Sequence, residues 1–172
     1  GNISMQLEKY QNAVNLYSDV LQLTEKNTNA TTNLKVDYYN LGLAYTKKVN
    51  KPVLLDLTGY ACVNCRKMED YVWSDPTVLN LLLNEVVLIS LHVDDKRELP
   101  VSEQYISKDT GESIESIGDK WSDFQITRYK ANAQPYYVIM NPEGKDLSLP
   151  IGYTSDEIQY GDWIKKALQK KS

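Results

Sequence analysis

Lys51-Pro52-Val53-Leu54-Leu55-Asp56-Leu57-Thr58-Gly59-Tyr60-Ala61-Cys62-Val63-Asn64-Cys65-Arg66-Lys67-Met68-Glu69 is the stretch that decides the fold. From Val53 to Thr58 apolar side chains fall on both parities, the pattern of a strand buried on both faces within a parallel sheet. Gly59 to Ala61 reads as a turn, and a helix is expected from Cys62 to about Trp73. The chain has 2 cysteines and both stand here, three positions apart. A small fold stapled by disulfides would spread several along its length, so this concentration points to chemistry.

A cysteine at a helix start meets unpaired backbone N–H groups and the positive end of the helix dipole. Its pKa is expected to fall from ~8.5 into the ~3.5–7.5 range of such motifs, so that thiolate exists at neutral pH. Cys65 lies one turn on, within reach of a Cys62–Cys65 disulfide. Cys62 is then the nucleophile that forms a mixed disulfide, and Cys65 resolves it. Asp56 interrupts an apolar strand six residues earlier. A buried carboxyl there would have a raised pKa and could take the proton of Cys65. Glu69 is expected on the helix face of the two cysteines, where a second carboxylate would oppose thiolate formation; a solvated glutamate fits the spacing nearly as well. Arg66 and Lys67 read as solvated outer-face charges. No metal is expected, since two cysteines supply half a zinc site and the one histidine, His92, falls in a strand as a core or edge residue. No cofactor is implied either, because the electrons travel in the sulfur pair.

Outward from this stretch, Asp37 caps a helix over residues 38–49, and Leu34 to Val36 form a short strand before it. Ile3, Leu7, Tyr10, Val14, Tyr17 and Leu21 make a helical stripe, followed by a polar linker, so that residues 1–33 form an amphipathic extension. Packing on the protein's own body is favoured over a coiled-coil seam. Downstream, Ser74-Asp75-Pro76 restarts a helix to about Asn84, and Val86 to Val93 is a second apolar strand. Polar, irregular sequence follows, with helical potential from Gly118 to Tyr129. Pro135 to Met140, a turn at Asn141-Pro142-Glu143-Gly144 and Leu147 to Leu149 read as a hairpin. A last helix is capped near Thr154 or Ser155 and carries Ile158, Trp163, Ile164 and Leu168. Parallel pairing through helices, then an antiparallel hairpin closed by a helix, is the arrangement of the thioredoxin fold: an α/β fold with a central mixed β-sheet flanked by helices. The domain is expected over 34–172.

The net charge of −4 over 172 residues, without a basic stripe, disfavours nucleic acid as a partner. No apolar run reaches the ~18–20 residues needed to span a bilayer.

Residues 51–57, Cys62 to Glu69 and Trp73-Ser74-Asp75-Pro76 together closely resemble the C-terminal thioredoxin-like domain of the bacterial DsbD thiol:disulfide interchange proteins. The likeness runs from about Leu34 onward and is sharpest between Lys51 and Asp95. It implies a periplasmic protein-disulfide reductase that takes electrons from a membrane-embedded domain and passes them to protein disulfide/dithiol partners. The family's active-site acids match Asp56 and Glu69. It also implies a cis-proline facing the cysteines, matched by Pro135, with the backbone beside it at Gln134 pairing with the partner chain.

Three features depart from the resemblance. Tyr60-Ala61 replaces an acidic–aromatic pair before the first cysteine, so local acidity and partner contacts at Tyr60 are expected to differ. An insertion at about 96–133, before the cis-proline strand, either covers the active-site rim or is passive. The N-terminal helix has no counterpart, and Asn40 to Tyr45 after it hints at one helical-repeat unit without a second copy. The competing functions are an oxidase or isomerase of the same fold, and a non-catalytic interaction module built on the helical extension. A cytoplasmic setting is the alternative to the periplasm.

Overall fold

The computed structural model describes residues 38–170; the expected extension, linker and strand within residues 1–37 lie outside the described residues. Helix α1 (Tyr38–Val49) leads into β1 (Val53–Thr58), and then α2 (Val63–Lys67) continues as a π-helical turn (Met68–Val72). Helix α3 (Pro76–Asn84) follows, then β2 (Val87–His92). A 3₁₀ turn (Val101–Glu103), the two-residue strands β3 (Tyr105–Ile106) and β4 (Ser113–Ile114), and α4 (Ile117–Tyr129) come next. The chain closes with β5 (Tyr136–Met140) and α5 (Glu157–Leu168).

Among the described residues the main sheet has the order β2–β1–β5, with β1 parallel to β2 and antiparallel to β5. β1 is central and all six of its residues are buried, as its two-parity apolar pattern requires. Alternation sends Val53, Leu55 and Leu57 to one face, where they meet Ile89, Leu91, Trp121, Val138 and Met140. Tyr39 and Leu43 of α1 and Phe124 of α4 pack against that cluster. Leu54 points the other way, into Met68, Val72, Val78, Tyr137, Ile139, Tyr160 and Ile164. Asp56 shares the parity of Leu54, so it faces the layer that contains the cysteine helix.

Local signals set the boundaries. Asp75 caps α3 by accepting from the N–H groups of Thr77 and Val78 at 2.9 and 3.1 Å, with Pro76 at the first helical position. In the π turn the Trp73 N–H donates to the Met68 carbonyl at 2.8 Å, five residues back, and both Met68 and Val72 stay in the core. Ser116 and Asp119 form a reciprocal capping box at the start of α4. Gly118 is required there: a Cβ would lie 2.6 Å from the Val93 carbonyl oxygen and 2.7 Å from the Asp95 nitrogen, both backbone atoms.

Three expectations need correction. Leu147 to Leu149 does not form a strand; two isolated bridges, Met140 with Asp146 and Tyr137 with Ile151, replace the second arm of the hairpin. Three residues, 148–150, stand opposite Val138 alone, and Pro150 has no N–H to continue a ladder. The final helix is capped by Asp156, which accepts from the Gln159 N–H at 2.9 Å, rather than by Thr154 or Ser155. Its core face is Tyr160, Gly161, Ile164 and Ala167, while Ile158, six residues before Ile164 and so on another side of the helix, is exposed. The stretch after β2 is also less irregular than expected. The Tyr105 hydroxyl donates to Asp123 at 2.7 Å and the Ser107 hydroxyl to the same carboxyl at 2.5 Å, which fastens the β3–β4 hairpin to α4.

Candidate active site

Cys62 is the N-cap of α2, with extended backbone (φ −81°, ψ 100°). Its Sγ accepts a hydrogen bond from the Cys65 N–H at 3.1 Å, the kind of contact that favours negative charge on that sulfur. The two sulfurs are bonded at 2.02 Å. They differ in access: Cys62 is half-buried, whereas Cys65 is 1% exposed. An incoming sulfur can therefore reach Cys62, and Cys65 is reached by way of Cys62.

The turn before Cys62 is tied to the end of β2. The Asp94 carboxylate accepts from the N–H of Tyr60 at 2.8 Å and of Ala61 at 3.0 Å. Burial pushes the Asp94 carboxyl up, but the Ala61 and Tyr60 N–H groups outweigh it and hold the group below the usual carboxylate range. Gly59 leaves room for this arrangement, since a Cβ there would stand 3.0 Å from Asp94 Oδ2. The Tyr60 ring is 62% exposed and stacks on His92 at 4.1 Å between centroids. Burial holds the His92 imidazole below its ordinary value, against the pull of Asp94.

Asp56 is 2% exposed. One oxygen, Oδ2, accepts from the Ser90 hydroxyl at 2.9 Å, across the register that pairs Asp56 with Ser90. The other, Oδ1, is buried without a hydrogen-bond partner among the described residues. Burial pushes this carboxyl up to about 7; the Ser90 hydroxyl works against that, the Glu69 carboxylate adds to it, and Arg66 opposes it. The field of the Cys-X-X-Cys helix thus acts on Asp56 through two residues of opposite charge.

Glu69 is one-third exposed and pairs with Arg66 at 2.7 Å. Burial holds its carboxyl above the ordinary value despite Arg66. The reading of Arg66 as an ordinary solvated charge is corrected: besides Glu69, its Nη2 donates at 3.5 Å to the hydroxyl of buried Thr58 at the end of β1. Lys67 is exposed.

The Gln134–Pro135 peptide is cis and Pro135 is buried. The Gln134 side chain turns inward, where its Nε2 donates to Gln125 Oε1 at 3.0 Å.

Ser90, Asp94 and Gln125 were missed by sequence reasoning. Ser90 carries a faint signal, as a polar residue within an apolar strand. Asp94 stands just past the second apolar strand, where an acidic residue carries no signal of its own. Gln125 has no signal at all, because a glutamine in a helix is ordinary until its surroundings are known.

A thioredoxin-like family model matches residues 33–142. Over 65 residues the chain is 40% identical to the thiol:disulfide interchange protein DsbD of Escherichia coli (strain K12), a match covering 38% of this chain and 11% of that protein. The chain thus spans about a tenth of the length of the curated relatives it matches. Among solved structures, one titled DsbH oxidoreductase aligns with a TM-score of 0.56 at 22% identity, covering 83% of this chain and 93% of that one. A thioredoxin from Thermus thermophilus aligns with a TM-score of 0.56 at 19% identity, covering 78% and 86%. These two likenesses speak for the α/β fold; the family match spans well over half the sequence, and the chain belongs to the thioredoxin-like family.

Proposed function

We propose that the protein is a thiol–disulfide oxidoreductase acting as a DsbD-like reductase of protein disulfides. The observation that carries this reading is a cysteine pair of unlike access, placed over a sheet face that holds a buried carboxyl with one unpaired oxygen.

In the reduced form the Cys62 thiolate attacks one sulfur of a partner disulfide. A Cys62–partner S–S bond forms, the partner's own S–S bond breaks, and the released partner thiolate takes a proton from water. Cys65 then loses its proton and attacks Cys62 Sγ, which expels the second partner thiolate and forms Cys62–Cys65. The pair is oxidised by two electrons and the partner disulfide is reduced by two. Asp56, with its carboxyl pushed up to about 7, is suited to receive the Cys65 proton near neutral pH. Glu69 and Arg66 act on that carboxyl in opposite directions and set how readily it ionises. Backbone at Gln134–Pro135 and the exposed Tyr60 ring form the docking edge for the partner.

A dithiol protein must restore the pair. The likeness to DsbD suggests a membrane-embedded electron donor and a periplasmic setting. Recovery of the native protein with the cytoplasmic fraction of cells would overturn that setting.

The reading is tested by Cys65→Ser, which should trap partners as mixed disulfides on Cys62. Recovery of no disulfide-linked protein, from cells in which Cys62 is still alkylated, would refute it. A potential nearer thioredoxin's ~−270 mV than the ~−120 mV of a strong oxidant is expected, and the opposite result would favour an oxidase.

A further inference from the structure

Gln125 lies in the middle of α4, is 0% exposed, and spends its side chain on the loop that leads into Pro135. Its Nε2 donates to the Ala133 carbonyl at 2.9 Å, and its Oε1 accepts from Gln134 Nε2 at 3.0 Å. A carbonyl can only accept and the Gln134 amide nitrogen can only donate, so the two contacts together fix which way the Gln125 amide faces. Among the described residues these are the hydrogen bonds that tie 131–134 to the body of the domain. The backbone N–H and carbonyl of Gln134 have no partner there.

The helix that carries Gln125 is itself held firmly. Its first turn lies against the Val93–Asp95 backbone at Gly118, and Trp121 is buried against the sheet. Its end is closed by Lys130 in the left-handed conformation (φ 53°). A rigid element thus presents a buried amide to a short loop whose own backbone edge stays open. Burying a glutamine is costly unless both ends of its amide are bonded, and here both bonds go to one functional segment.

We propose that Gln125 is the positioning residue for the partner-docking segment: by bonding Ala133 and Gln134 it holds the backbone before Pro135 in the form that an incoming chain pairs with. This rests on the reading of that segment as the docking edge. Gln125 touches neither the partner nor the cysteines; it acts by lowering the ordering cost that a partner would otherwise bear on binding.

The test compares two substrates of the full chain, the first in turnover with dithiothreitol as the electron source and the second with chain reduced beforehand and freed of dithiothreitol, which would itself reduce it. One is the disulfide-bonded protein insulin; the other is the small aromatic disulfide dithiobis(nitrobenzoate), which needs no backbone docking. Gln125→Met keeps the volume and removes both bonds. KM for insulin should rise about tenfold with kcat within about twofold, and the rate at which the reduced chain reacts with the small disulfide should stay within about twofold. Gln125→Glu supplies a conditional rescue. Its protonated carboxyl can donate to Ala133 and accept from Gln134, whereas its carboxylate cannot donate. The KM ratio to wild type should therefore be near one at low pH and grow as pH rises. Hydrogen exchange of the 131–134 amides should quicken in Gln125→Met.

Equal losses on both substrates, an unchanged KM, or a Gln125→Glu ratio flat in pH would each overturn the inference. If the reduced wild type reacts with the small disulfide but with no protein disulfide, the proposed function fails instead. Hydrogen exchange then still decides whether Gln125 braces the loop.

Discussion

Replacing Asp56 by asparagine should make the protein's stability respond to pH in a different way, by an amount that follows from the burial of the carboxyl. Asp56 titrates near 7 in the folded protein against an ordinary value of 3.8. The folded state therefore keeps a proton that the unfolded chain has already released between those values. The stability linked to this proton is fully present below pH 3.8, is lost as pH rises to about 7, and stays lost above it. At about 1.4 kcal/mol per pH unit, the loss amounts to about 4 kcal/mol. Asp56→Asn removes the titration but keeps an oxygen able to accept from Ser90. The amide nitrogen takes the place of the unpaired Oδ1, at a cost of about 1–3 kcal/mol that does not vary with pH. The variant should thus be less stable than wild type at pH 4 and more stable at pH 8. Between those values the difference should swing by about 4 kcal/mol. Denaturant unfolding of the oxidised form of both proteins, at intervals across this range, measures the swing directly. Other titrating groups are common to both chains and cancel. Parallel stability curves would refute the assignment of a raised pKa to Asp56 and, with it, the case for Asp56 as proton acceptor.

Three further outcomes are expected. Ser90→Ala removes a donor that favours the ionised carboxyl, so the midpoint of the Asp56 titration, followed by carboxyl NMR, should move above the wild-type value; Ser90→Thr should restore it. Asp94→Ala releases the Tyr60 and Ala61 N–H groups and should cost about 1 kcal/mol in unfolding free energy, while alkylation of reduced Cys62 changes its pH profile as the turn loosens. Gly118→Ala forces a methyl into backbone at Val93 and Asp95 that cannot give way, and should lower stability by about 2–3 kcal/mol in denaturant unfolding.

The elements nearest the cysteines were legible because each is written in local terms. Residues 53–58 carry a pattern that suits a strand covered on both sides, and β1 is such a strand. Asp75-Pro76 is a helix start by the chemistry of the capping side chain, which needs only its next few neighbours. Cys62 and Cys65 were readable for the same reason: a spacing of three on one helix turn is enough to bring them together. The second arm of the final hairpin was not readable in this way. Whether Leu147 to Leu149 pairs with β5 depends on how many residues the return path must fit opposite Val138, and that is settled by the packing of both arms.

What the sequence by itself determined is the chemistry on offer: a Cys-X-X-Cys at a helix start, an acid in an apolar strand, and a proline opening another. Those are facts of residue type and short spacing, and local physics converts them into expectations. The tertiary structure alone decided what surrounds each group. Ser90 lies thirty-four residues from Asp56 and meets it because two parallel strands pair in one register. Asp94 lies thirty-three and thirty-four residues from the two N–H groups it holds. Gln125 becomes part of the site only when α4 is packed beside the loop before Pro135. A pKa, an orphaned oxygen or a braced loop is a property of neighbours, and the neighbours that matter here are brought together by burial of the sheet rather than by proximity along the chain.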